Sequence, residues 1–530
     1  MRIVTAAEMR DIEAQAGRLG VPEPQLMATA GAAVAAAARR WAPGQGLVIA
    51  LVGTGNNGGD ALVAAAELLA DGRPVALWVA PGRTAPAPVP ERALAGARRL
   101  DDLAALTAAL AEAALVLDGL YGIGLSRAPS GAVAAAIEAV NAAAARPGGP
   151  VTLAIDVPSG MMADTGATPG PAIRATATLA LGFPKRGLYV GAGARCAGRI
   201  EVADIGLPEG VKVADGPEVI TPAQVRALLP RRAPTADKWE VGAAVVVGGA
   251  LNYPGAPRLA ALGAMRAGAG YVTLAVPRSI FGIVAGTLLE ATYLPLPETE
   301  GELGTLAAEE LGKELGRFKA MVVGCGLGRE KGTAAFLERL LGVTRRRRGL
   351  LGFGPAAAEE PAPAALLPAD LKLVIDADAL NLLSEIEGWH ERLTQPAVLT
   401  PNLREMARLT GKETAEVEAA AWQITAEAAA RWRQVVLLKK GHGVIATPDG
   451  RLWTAAQANP AVATAGSGDV LSGVIGGLLA QGLAPADAAV AALHLGMLAA
   501  ERGVARVGVH GLVAGDLPLL VAEAMRELAE

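Results

Sequence analysis

The sequence predicts two α/β domains, each built on a mostly parallel sheet with helices on both faces. Three observations carry this: a length of 530 residues, short apolar runs that alternate with alanine-rich helical stretches, and an interruption from Leu207 to Pro222 rich in glycine, proline and charge. A chain of this length exceeds one ordinary compact domain, so at least two cores are expected. Apolar runs alternating with helices are the pattern of βαβ units. The interruption suits a connector, so the expected domains are 1–215 and 219–530.

The strands expected in the first domain are Leu47 to Val52, Val75 to Ala80, Ala114 to Asp118, Val151 to Asp156 and Thr178 to Gly182. In the second they are Ala243 to Val247, Tyr271 to Val276, Ala320 to Val323, Leu371 to Ile375, Ala397 to Thr400 and Val435 to Leu438. Between Thr344 and Asp370, the run Arg345 to Arg348 and the Gly, Pro and Ala-rich tract after it read as an insertion. Its arginines are either a solvated loop face or a phosphate contact. Neither half has a short internal repeat, which argues against a solenoid.

Composition narrows the function. With 48 basic against 52 acidic residues, no electrostatic footprint for nucleic acid or an anionic membrane is expected, and small solutes fit better. Cys196 and Cys325 lie far apart and read as free thiols in a reducing compartment. His390, His442, His494 and His510 have no helical i, i+4 partner, so zinc is not expected. Glu8, Asp11 and Glu13 stand where a signal peptide would be basic and then apolar, so a cytoplasmic location is expected. The stretches Val241 to Pro257 and Val470 to Ala486 contain Gly, Pro, Asn or Gln and read as buried core, not as membrane spans.

The run Leu47 to Val52 leads into Gly53-Thr54-Gly55-Asn56-Asn57-Gly58-Gly59-Asp60, with a helix-compatible stretch, Ala61 to Ala70, behind it. Strand, glycine loop and helix in this order aim backbone N–H groups at an anionic group. The loop satisfies G-x-G-x-x-G in a Rossmann-like domain. The next strand, however, ends at Ala80-Pro81-Gly82, where a redox enzyme would place a ribose-binding acid, and this weakens a dehydrogenase reading. Two further strand ends carry polar groups, at Asp118 through Arg127 and at Asp156-Val157-Pro158-Ser159. Any one acid could merely cap a helix, but Asp60, Asp118 and Asp156 with Ser159 are expected to converge in one crevice.

At these residues the chain resembles the epimerase domain of NAD(P)H-hydrate repair enzymes, from about Met1 to Pro208. Thr5-Ala6-Ala7-Glu8-Met9-Arg10, and Leu26-Met27 through Ala30-Gly31, belong to the same resemblance. It implies a potassium ion on Asn57, Asp118 and Ser159, whose hard oxygens suit such a cation. It also implies hydrate contacts from Asn56, Asn57, Gly58, Gly59 and Asp60, from Gly122, Ile123, Gly124, Leu125, Ser126, Arg127 and Ala128, and from Asp156. Epimerising the hydroxyl-bearing carbon requires opening and reclosing a bond beside the ring nitrogen, and Asp156 is the candidate acid and base. Ala28 departs from the family, which more often has glutamate there.

A second constellation is Thr464-Ala465-Gly466-Ser467-Gly468-Asp469 before an apolar helix-like stretch. It is either a helix cap or an anion hole with a carboxylate beside the phosphate being displaced. Upstream, Lys440-Gly441-His442-Gly443-Val444 is a tight turn able to approach a nucleotide, with Lys440 as a point charge. Gly324-Cys325-Gly326 and Asp376-Ala377-Asp378 follow strands, and either acid is a candidate for magnesium or a structural strand-end residue.

Together these residues resemble the ADP-dependent dehydratase domain of the same repair enzymes, a ribokinase-like fold, from about Val219 onward. Gly255-Ala256 and Arg266-Ala267-Gly268-Ala269-Gly270 share in the likeness. It implies ADP as co-substrate on Lys440, Gly441, His442, Gly443, Val444 and Gly468. The hydrate is expected on Ala256, Gly326, Asn402 and Asp469, with Asp469 as base, and a homo-oligomer is expected. Asn402 stands where the family usually has histidine, Cys325 where proline is common, and Asp237-Lys238-Trp239 through Gly242 is an imperfect lysine–glycine motif. The alternatives are a ribokinase-like small-molecule kinase fused to a non-catalytic binding domain, or a binding module. The fused N-terminal half with its three acids counts against both.

Overall fold

The computed structural model describes residues 1–84, 88–342 and 366–530; the Arg345 to Arg348 insertion lies outside them. Two compact units emerge, Met1–Val219 and Ile220–Glu530.

The first unit is a seven-stranded sheet. In chain order its strands are β1 (Leu47–Val52), β2 (Val75–Val79), β3 (Arg98–Leu100), β4 (Ala113–Gly119), β5 (Val151–Ile155), β6 (Ala177–Leu181) and β7 (Arg199–Ala203). They lie in the order β3-β2-β1-β4-β5-β6-β7, and every pairing is parallel. The order reverses at β1, so the crevice beyond the carboxyl ends of β1 and β4 is the topological switch point. Residues Val48 to Val52 are fully buried, as a strand covered on both faces requires. β3 and β7 were not foreseen: both lie at the edges of the sheet and carry arginine, which dilutes the apolar pattern.

The helix after β1 starts earlier than the sequence suggests. It spans Asn56–Ala70, so Asn-Asn-Gly-Gly-Asp forms its first turns, leaving only Gly53 to Gly55 as loop. Glycine is required there by close approach. A Cβ on Gly58 would lie 2.2 Å from the Gly53 carbonyl oxygen, and one on Gly59 would lie 2.7 Å from Met27 Sδ.

In the second unit the strands are β8 (Ala243–Val247), β9 (Tyr271–Pro277), β10 (Thr292–Leu296), β11 (Ala320–Val323), β12 (Lys372–Ile375), β13 (Ala397–Leu399), β14 (Val435–Leu438), β15 (Val444–Ala446) and β16 (Leu452–Thr454). They run β10-β9-β8-β11-β12-β13-β14-β15-β16. Pairing is parallel through β14 and antiparallel in the two hairpins that follow. The edge strand β10 contains Pro295, which obscured its pattern. The reversal between β8 and β11 creates a second switch point. Gly324 makes it tight: its φ is +120°, and a Cβ would lie 1.9 Å from the Asp376 carbonyl oxygen.

Helix Pro485–Val507 is long and apolar enough to cross a membrane by length and composition, and 61% of its apolar window is buried inside the protein. Helices Gly255–Arg266 and Ser467–Ala480 meet backbone to backbone, because a Cβ on Gly473 would sit 1.9 Å from the Ala260 carbonyl oxygen and one on Gly263 2.5 Å from that of Val470. We expect Gly473→Val to force them apart and destabilise the second unit by about 2–3 kcal/mol, as overpacking does. Calorimetry of the full chain should show that unit's transition lowered and the other unmoved; an unchanged transition would mean the helices do not pack this way.

Candidate active sites

At the first switch point lies a cavity of about 840 Å³, lined by Asn56, Asn57, Asp60, Gly122, Ile123, Gly124, Leu125 and Asp156 among the residues singled out from sequence. Its remaining wall includes Arg10, Glu13, Glu23, Tyr121 and Lys185. Gly58, Gly59, Ser126, Arg127 and Ala128 are not part of its wall.

Beneath the cavity, Asp118 and Ser159 are fully buried. The Asp118 carboxylate accepts from Ser159 N at 2.8 Å, Ser159 Oγ at 2.5 Å and Leu120 N at 3.3 Å. Burial pushes its carboxyl up to about 6, against the pull of these bonds. Asn57 Nδ2 donates to the carbonyls of Tyr121 and Ile155, each at 3.1 Å. A side chain on Gly122 would crowd Asn57 Oδ1, at 3.3 Å. The result is a set of carboxylate, hydroxyl and carbonyl oxygens under the glycine loop.

Asp156 follows β5 with φ +66°, a left-handed conformation that aspartate tolerates better than most residues. Its Oδ1 accepts from Leu181 N at 3.0 Å and from the fully buried Lys185 Nζ, which also donates to Leu181 O at 2.9 Å. Sequence reasoning missed Lys185, since nothing in Phe183-Pro184-Lys185 distinguishes a buried lysine from a surface one. Asp60 is held well above the usual carboxyl range, first by burial and then by Asp156 and Glu13.

In the second unit the carboxyl ends of β11, β12 and β14 bring Cys325, Asp376 and Lys439 together with Asp469 of helix Ser467–Ala480. Ligand atoms of Cys325, Asp376 and Asp469 all lie within 4.8 Å of one another. Asp376 accepts from Lys439 Nζ at 2.5 Å, Ser472 Oγ at 2.7 Å and Ala377 N at 2.8 Å. Asp378 instead accepts from Gly328 N at 3.0 Å. Burial and then Asp376 push the Asp469 carboxyl up to about 6. Burial, followed by Asp469 and Asp376, raises the Cys325 thiol well above its usual range.

Gly466, with φ +90°, caps that helix, and a Cβ on Gly468 would lie 3.3 Å from Lys439 Nζ and 4.0 Å from Asp376 Oδ2. Sequence analysis singled out Lys440; the lysine at the acids is its neighbour Lys439, on the same side of the strand as Leu437 by two-residue alternation. Lys440, Gly441, His442 and Gly443 form the turn from β14 into β15, which begins at Val444. His442 is buried, its Nδ1 3.1 Å from the Ala455 carbonyl. Burial lowers it to about 4, so its ring is neutral at pH 7. Gly326 and Ala256 adjoin: a Cβ on Gly326 would lie 2.9 Å from that of Ala256. Asn402 caps helix Leu403–Thr410, its Oδ1 accepting from Arg404 N and Glu405 N at 2.9 and 3.0 Å while Glu405 Oε2 accepts from Asn402 N at 2.8 Å.

Residues 244–518 match the family described as NAD(P)H-hydrate dehydratase, and residues 23–187 match the YjeF-related protein N-terminus. The Bifunctional NAD(P)H-hydrate repair enzyme Nnr of Salinibacter ruber is 40% identical over 544 residues, covering 96% of this chain and 94% of that one. Its namesake from Moorella thermoacetica is 36% identical over 558 residues, covering 100% and 98%. Among solved structures, an ADP/ATP-dependent NAD(P)H-hydrate dehydratase from Bacillus subtilis, co-crystallized with ATP/Mg2+, is 26% identical and covers 59% of this chain and 98% of that one, with a TM-score of 0.47. The likeness runs through both units, and the chain belongs to the family of bifunctional NAD(P)H-hydrate repair enzymes.

Proposed function

We propose that the first unit interconverts the R and S hydrates of NADH and NADPH, and that the second dehydrates the S hydrate at the expense of ADP. The observation that carries this is full-length similarity to bifunctional repair enzymes, together with a separate carboxylate site at the switch point of each unit. A kinase joined to a passive binding domain is disfavoured, because the first unit holds Asp60, Asp156 and Lys185 around a cavity of about 840 Å³, large enough for a substantial ligand.

In the hydrate, a hydroxyl group sits on the ring carbon next to the ring nitrogen. Asp156 takes the hydroxyl proton as the carbon–nitrogen bond opens, and returns it after reclosure from the other face. In the second unit Asp469 takes the hydroxyl proton while the oxygen attacks the terminal phosphorus of ADP, and AMP departs. Phosphate is then a good leaving group; its loss, with a proton from the neighbouring carbon, restores the reduced ring. ADP would lie on the backbone of the 440–444 turn and against Gly468, beside the Lys439 charge.

Two ions belong to the reading. The oxygens of Asn57, Asp118 and Ser159 fit potassium, since the set is hard and all-oxygen. The carboxylate of Asp376 fits magnesium, which when bound would screen phosphate charge and leave Asp469 as the base; the thiol of Cys325, raised by burial, stays protonated and is no partner for so hard a cation. Location in the cytoplasm and assembly as a homo-oligomer complete the proposal.

Asp469→Asn should abolish ADP-dependent recovery of reduced-nicotinamide absorbance and leave hydrate interconversion intact, whereas Asp156→Asn should do the reverse. Loss of both activities in either variant would contradict independent sites. Dehydration needs Asp469 ionised, and its carboxyl is held at about 6. The rate at low hydrate concentration should therefore rise as pH climbs through about 6 and level off above; a flat profile from pH 5 to 8 would remove Asp469 as the base. Exchanging potassium for tetramethylammonium at constant ionic strength should slow interconversion several-fold, and equal rates would exclude the cation.

A further inference from the structure

Lys185 is buried to the last atom, yet it is not isolated: Nζ donates to Asp156 Oδ1 and to Leu181 O at 2.9 Å. With Leu181 N on the same oxygen at 3.0 Å, Oδ1 is saturated, and Oδ2 has no hydrogen bond from any described residue. The pair thus fixes one oxygen and leaves the other for a ligand. Across the same cavity wall stands Asp60, on helix Asn56–Ala70, 7% exposed and with no hydrogen-bond partner among the described residues. An orphaned carboxyl at such burial is costly unless it is neutral or meets a ligand. The charged groups facing it are Asp156, Glu13 of helix Ala6–Arg18, Lys185, and Glu23 at the start of the next helix. Arg10 lines the cavity as well.

We propose that Asp60 is a second catalytic group of the epimerase, a neutral acid that protonates the ring nitrogen while Asp156 removes the hydroxyl proton, and that Lys185 is the positioning residue holding Asp156 ready as the carboxylate. This rests on the epimerase reading above. Burial, then Asp156 and Glu13, hold Asp60 well above the usual carboxyl range, the direction that a proton donor requires.

The step balances. The hydroxyl O–H bond breaks with its proton going to Asp156 Oδ2, the carbon–oxygen double bond forms, and the carbon–nitrogen bond breaks with its electron pair going to nitrogen. The nitrogen takes the Asp60 proton. Rotation about the adjacent carbon–carbon bond presents the other face, the nitrogen attacks it, and both protons return to their donors. No net proton, electron or water is consumed.

The test uses the full chain and purified S or R hydrate of NADPH, with interconversion followed chromatographically above the uncatalysed rate and ADP-dependent dehydration as an internal control for folding. Wild type should lose rate on the alkaline side as Asp60 gives up its proton. Asp60→Asn should lower kcat about 100-fold or more, the usual weight of a general acid, with KM within about threefold, and should remove the alkaline limb. Asp60→Glu should restore part of the rate. Lys185→Met should lower kcat with KM within about threefold, because Asp156 Oδ1 loses the donor that fixes it, and Lys185→Arg should recover part of the loss. Should Lys185→Met unfold the first unit, seen as loss of its calorimetric transition, the Asp60 variants still decide the matter. An Asp60→Asn enzyme within about threefold of wild-type kcat, or a Lys185→Met enzyme that is folded and keeps wild-type kcat, overturns the inference while the epimerase reading stands. A wild-type chain that interconverts no hydrate overturns both.

Discussion

Parallel pairing sends the carboxyl ends of neighbouring strands to one edge of a sheet, and a reversal of strand order opens a crevice there. In this chain that constraint acts twice. The reversal at β1 gathers Asn57, Asp118, Asp156 and Ser159 from distant segments, and the Asn57 Nδ2 bond to Ile155 O alone bridges 98 positions of sequence. The reversal between β8 and β11 gathers Cys325, Asp376 and Lys439 in the same way. Neither cluster exists without the sheet beneath it, so catalysis here depends on strand order before it depends on any side chain.

Glycine is the second requirement, because strand ends that converge crowd their own backbones. Gly53 would drive a Cβ to 1.8 Å from the Leu120 carbonyl oxygen, and Gly248 to 2.3 Å from that of Cys325. These glycines need no ligand to explain them. Gly468 differs from these, since its missing side chain opens space toward the charged side chains of Lys439 and Asp376 and not toward a neighbouring main chain. A glycine-rich loop therefore mixes two demands, close packing and room for phosphate, which only the fold separates.

Much of the fold was legible because buried central strands read as unbroken apolar runs: β8, β11 and β14 run from the first to the last residue anticipated. What escaped was set by the edge of the sheet or by tertiary context. The strands β3, β7 and β10 hide behind arginine or proline, and helix Asn56–Ala70 begins inside a glycine-rich run whose low helix propensity gives no sign of it. Candidate site residues were legible where an acid follows a strand, as at Asp118, Asp156 and Asp376. The lysines were not. Lys439 gave no signal of its pairing with Asp376 because that depends on how the strand end is placed, and Lys185 gave none because its burial is a property of the folded cavity. Asn402 is a further case: a residue that looked like a substituted ligand is also the cap of a helix, with both lone-pair directions of its Oδ1 used by backbone donors.

The two sites solve one electrostatic problem in the same manner. Each buries a carboxylate against a lysine, Asp156 with Lys185 and Asp376 with Lys439, and each sets a second acid beside that pair, Asp60 in one and Asp469 in the other. Bringing two buried carboxylates together would ordinarily leave one of them protonated. The lysine compensates one charge and so lets the pair differ: one acid is fixed and ionic, the other is raised and free to exchange a proton. In the second unit the raised acid reaches about 6, still ionised at neutral pH and able to accept. In the first, Asp60 is raised well above the usual carboxyl range, first by burial and then by the like charges of Asp156 and Glu13. A base and an acid are thereby obtained from the same residue type by environment alone, which is what a phosphoryl acceptor activated by deprotonation and a ring opened by protonation respectively require.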